Sequence, residues 1–128
     1  MRPPSLADIE AMARQAFDNL PEEFRRVAGE VVIHVEDFAD EETLDALGIE
    51  DPFELTGLYR GVDRLHQSVT DPAPYTPHVF LYRRPILDEW SERGDVTLSA
   101  LVEHVLVHEI GHHFGLSDDD IDAIEAQD

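Results

Sequence analysis

The stretch TLSALVEHVLVHEIGHHFGLSD, Thr97 to Asp118, decides how the rest of the chain reads. Leu98, Leu101, Val102, Val105, Leu106, Val107, Ile110 and Phe114 recur at helical spacing but fall on most sides of the helix. A helix apolar nearly all round belongs in a core, so any polar residue on it needs a reason. Thr97 stands where a cap is expected, and Gly115 is a natural stop. His108 and His112 are one turn apart, so both imidazoles project from one face and can reach a single ion. Glu109 lies about 100° further round, off the ligand axis yet near enough to take a proton from a water at the ion. That is the mechanical content of H-E-x-x-H: two ligands with a general base beside them.

A catalytic zinc site uses three protein ligands and keeps a position for water. Gly115 can end the helix and turn the chain back, bringing Asp118 to the open side. The full spacing, H-E-x-x-H-x-x-G-x-x-D, follows the metzincin pattern with aspartate in place of its last histidine. With this chain's own composition, H-E-x-x-H arises by chance in roughly 4% of such sequences, and the extended motif in roughly 0.04%. The short motif suggests a site; the long one argues for it. Capping by Asp118 at the next helix start is the competing reading, since acids are favoured there without a metal. Asp118, Asp120 and Asp122 also imitate the opening of a calcium loop, but its glycine and closing glutamate are absent. His104, one turn before His108, is expected beside the site or at the surface.

The chain has 128 residues, a formal charge of −20 and no cysteine, and all nine basic residues are arginine. The length suits one domain spanning 1–128. Without thiolates, any metal must be held by His, Asp or Glu. The negative field repels phosphates and anionic headgroups, which makes nucleic acid and membranes poor partners. No run approaches membrane-spanning length and the N-terminus has no apolar signal core, so a cytoplasmic protein is expected.

Upstream, Ser5 and Asp8 mark the start of a helix that runs to Leu20, and Pro21 opens a short second one. VVIHVED from Val31, LTGLYRG from Leu55 and HVFLYR from His78 read as strands. The glycines of the second suggest an edge, or a place where another backbone comes close. DEETLDALG from Asp40 reads as a short helix closed by glycine, and Pro85 as the start of a helix ending before Gly94. A proline-rich loop is expected over 62–77, and a last helix after Ser117.

Three of these segments, LTGLYRG, HVFLYRRPIL and HEIGHHFGLSD, resemble in the same order the small bacterial zincin-like metallopeptidases, or minimal zincins. The resemblance implies an α/β fold of α+β type. It places a small mixed sheet of three or four strands on the active-site helix, with helices at both termini. It makes His108, His112 and Asp118 ligands of one Zn2+ and Glu109 the catalytic base. It implies a hydrolase acting on peptide or protein substrates, which pair with an edge strand near Leu55–Arg60. Larger metzincins have a Met-turn beneath the metal, whereas here the methionines are Met1 and Met12. That difference motivates the alternative of a zinc-stabilised binding module with little or no turnover.

Overall fold

The computed structural model describes residues 3–60 and 77–113. The expected proline-rich loop up to residue 76, the stop at Gly115, Asp118 and the last helix lie outside the described residues. The described elements are α1 (Leu6–Asp18), α2 (Glu22–Ala28), β1 (Val32–Glu36), α3 (Glu41–Leu47), a 3-10 turn (Pro52–Glu54), β2 (Gly57–Arg60), β3 (His78–Tyr82), α4 (Arg83–Arg93) and α5 (Leu98–His113). They form a mixed α+β arrangement, as the resemblance implied. Two of the boundaries that differ from expectation have a local cause. Strand β2 begins at Gly57, because Pro52–Glu54 is taken up by the 3-10 turn. Helix α4 begins at Arg83, which leaves Pro85 inside its first turn, where a missing N–H costs no intrahelical bond.

Capping chemistry sets the helix ends. Ser5 and Asp8 exchange side-chain and backbone hydrogen bonds at the start of α1, at 2.8 and 3.1 Å. Asp40 accepts the Thr43 N–H at 2.7 Å to start α3, and hydrogen bonds from Thr43 hold the Asp40 carboxyl below its ordinary range. Gly48 closes α3 with φ +70°, a left-handed conformation that other residues adopt only at a cost.

The sheet has the order β1-β3-β2, with β1 parallel and β2 antiparallel to β3. Register divides it into two faces. Ile33, Val79 and Tyr59 form one row of the inner face, and Val35, Leu81 and Gly57 the next. This face meets α1 and α5, which also pack on each other, while α4 closes on α5 from the side. The shared core includes Ile9, Ala13, Ile33, Val79, Leu81, Ile86, Leu101, Val102, Leu106 and Ile110. Burying each large aliphatic side chain there contributes about 1.5–3 kcal/mol.

The outer face carries an imidazole and aromatic ladder. His34 stacks on Phe80 at 4.6 Å, and its Nε2 lies 2.9 Å from Nδ1 of His78. The Arg60 guanidinium sits over the Phe80 ring at 5.3 Å and donates to Thr43 Oγ1 at 2.6 Å, tying the end of β2 to α3. Arg83 makes a second tie: its side chain donates to the Pro4 carbonyl at 2.6 Å and to Asp37 at 3.0 Å, joining the N-terminal segment to the start of α4.

Tyr82 ends this ladder and is 2% exposed. Burial pushes its phenol up to about 12; Glu36, Asp40 and Glu109 act in the same direction, and Arg60 opposes them. The folded state therefore holds this proton more tightly than the unfolded chain, whose tyrosines titrate near about 10. Stability should be intact below about pH 10 and decline as pH rises towards about 12. Urea unfolding at intervals from pH 9 to 12 should show this decline, and Tyr82→Phe should flatten it; an unchanged slope would remove Tyr82 as its source.

Candidate metal centre

Helix α5 is started by Thr97, whose Oγ1 accepts the Ala100 N–H at 3.1 Å. Leu98, Leu101, Val102, Val105, Leu106, Val107 and Ile110 are then all buried. From Leu101 to Gly111, the positions that retain partial exposure are Glu103, His104, His108 and Glu109. The positions of this stretch that are not sealed are thus all imidazoles and carboxylates. Gly111 is itself buried.

His108 is half-buried, and its Nε2 atom is fully shielded from solvent. The His104 ring lies against it, with centroids 4.2 Å apart and planes tilted by 52°. His104 is therefore a neighbour of the motif rather than a surface group. His112 occupies the last turn of α5, one turn beyond His108. Its side chain and all of Asp118 lie outside the described residues. Among the described residues, no three His, Asp or Glu side chains converge as a metal-binding group.

Glu109 is half-buried and leans on β2, the edge of the sheet among the described residues. A Cβ placed on Gly57 would stand 3.2 Å from its Cγ and 2.7 Å from Cγ1 of Val105. Strand β2 thus seats directly on the turn of α5 that carries Glu109. The glycine-rich strand signalled an edge and a close approach. What comes close is a pair of helix side chains, a contact between segments far apart in sequence that spacing does not reveal. Tyr59 lies on the same strand. Its ring packs on the core and its hydroxyl is buried, where a strand tyrosine with a solvated hydroxyl is the usual case.

The donor chemistry suits zinc, which accepts imidazole nitrogen and carboxylate oxygen. His108 offers a shielded ring nitrogen on a rigid, buried helix, and Glu109 diverges from it towards the strand. His108 can thus offer nitrogen to a cation while the Glu109 stem is directed towards β2. Among the described residues, no helix is long and apolar enough to cross a membrane.

No curated protein matches the sequence. A family model described as zincin-like metallopeptidase matches residues 28–127. That span takes in the whole sheet, α3 to α5 and the motif, and a zincin-like family implies zinc binding and a hydrolytic role. On this match, and with a mixed sheet laid on the motif helix, the chain belongs to the zincin-like metallopeptidase family.

Proposed function

We propose that this protein is a zinc-dependent peptidase in which His108, His112 and Asp118 hold one Zn2+ and Glu109 is the general base. The observation that carries the reading is the divergence of two adjacent residues on α5. His108 presents a shielded nitrogen, while Glu109 is turned against the edge strand. When bound, zinc supplies Lewis acidity, polarising the scissile carbonyl and lowering the pKa of a coordinated water to about 7. Glu109 accepts the proton of the attacking water and delivers it to the departing amine. The burial of α5 fixes the helix on which both groups stand, so neither must be ordered when substrate arrives.

Strand β2 has β3 on one side, and its other edge is the one a peptide substrate would use. An extended peptide added there gains main-chain hydrogen bonds, with alternate side chains reading pockets on either side. The strand lies against the turn that bears Glu109, so a peptide paired with it is carried past the base.

The ring of His104 against His108 favours one rival reading, a closed four-ligand site that serves folding or recognition. Zinc content and affinity separate the two. The wild type should bind about one zinc per chain, Asp118→Ala should weaken that binding, and His104→Ala should retain it. Loss of zinc in His104→Ala would favour the binding module. Glu109→Gln should keep the zinc and lower peptide hydrolysis by at least about 100-fold. Full activity in that variant would remove glutamate from the mechanism.

A further inference from the structure

The stem of Glu109 rests on bare backbone. A Cβ at Gly57 would meet Val105 Cγ1 at 2.7 Å, Glu109 Cγ at 3.2 Å and the Phe80 carbonyl oxygen at 3.3 Å. The φ angle of Gly57 is not positive, unlike those of Gly29, Gly48 and Gly94. Space, not backbone conformation, is what excludes a side chain here. Carbon atoms in ordinary contact sit about 3.5–4.0 Å apart, so even a methyl group must displace something.

The strand and the helix have little room to separate. Strand β2 is paired in register with β3 from Gly57↔Leu81 to Arg60↔His78. The Tyr82 N–H also donates to the Thr56 carbonyl at 2.9 Å just before the strand, and Arg60 grips Thr43 at 2.6 Å at its end. Helix α5 is held by its buried apolar residues on the side of α1 and the sheet. Between two fixed bodies, the yielding parts are the side chains of Val105 and Glu109. The Glu109 carboxylate lies beyond Cγ, so a small displacement of the stem is enlarged at the oxygens.

We propose that Gly57 is the positioning residue for Glu109: its missing side chain sets the rotamer of the carboxylate and locks the edge strand and the base into one unit. This rests on the reading of Glu109 as general base. It adds that the residue fixing the base lies on the strand proposed to bind substrate. A Cβ at position 57 leaves the zinc-binding face of α5 in place and moves the base.

The test compares wild type, Gly57→Ala, Val105→Ala and the double variant Gly57→Ala/Val105→Ala in the full chain. Val105→Ala removes the 2.7 Å obstruction and leaves the contact with Glu109. Four quantities are read: the thermal midpoint, the zinc Kd, the Glu109 rotamer from NMR couplings and NOEs between residue 57 and the Glu109 Hγ protons, and kcat with KM on a peptide substrate. Gly57→Ala should cost stability in the wild-type background and much less beside Val105→Ala. In both backgrounds it should change the Glu109 rotamer and lower kcat by about 10- to 100-fold, the scale of a misplaced catalytic group, with zinc Kd unchanged. A Glu109 rotamer identical in Val105→Ala and the double variant would overturn the proposal, as would a kcat that recovers along with the thermal midpoint. Should Gly57→Ala fail to fold, those two remaining variants decide. A wild type without hydrolytic activity would defeat the peptidase reading, and the rotamer comparison would still test the positioning role.

Discussion

Everything about this site depends on the burial of α5. A helix sealed by Leu101, Val102, Val105, Leu106, Val107 and Ile110 has no freedom to rotate or slide, because any turn would carry apolar side chains into water and polar ones into the core. The register of His108 and Glu109 is thus enforced by residues that take no part in chemistry. The cost is that imidazoles and carboxylates must be accommodated on a nearly buried rod. The fold meets that cost by leaving four positions between Leu101 and Gly111 partly exposed: Glu103, His104, His108 and Glu109.

The sheet converts this fixed rod into a site with direction. Its inner face supplies aliphatic rows against α1 and α5, and Gly57 interrupts the last of these rows where the motif begins. Its outer face is built differently, from stacked imidazole and aromatic rings with an arginine laid over them. Planar groups suit such a surface because they bury large areas at little rotamer cost. Arginine serves the same architecture: Arg60 and Arg83 each bridge elements distant in sequence through a planar fork that lysine does not possess. In a chain of net charge −20, these two cations are spent on structure.

Local chemistry was legible in the sequence. The Ser5–Asp8 box, the Gly48 and Gly94 stops, the Thr97 cap and the three strand segments all appear where short-range rules put them. The pattern from His108 onwards pointed to the family that the comparison then showed. Less legible was whatever depends on two distant segments meeting. Gly57 announced an edge strand, but only the packing reveals that Glu109 lies on it. His104, by contrast, lies beside His108 as its spacing of one turn allows. The early start of α4 went unread because the residue before a proline normally resists helix, and here Arg84 is held by its N–H bond to the Asp37 carbonyl at 3.1 Å.

The parallel pairing of β1 with β3 has a consequence for how the molecule comes into being. The imidazoles of His34 and His78 meet across 44 residues of chain, and the edge strand lies inside that interval. Helices close through neighbouring residues and form early, whereas a pairing of this span must wait for a large loop to close. Strand β2 pairs with β3 over a shorter interval, from Arg60↔His78 to Gly57↔Leu81, so that pair can form before β1 joins. Strand β1 is then the last to dock, and the part of the core that Ile33 closes against α1 is sealed only when it does.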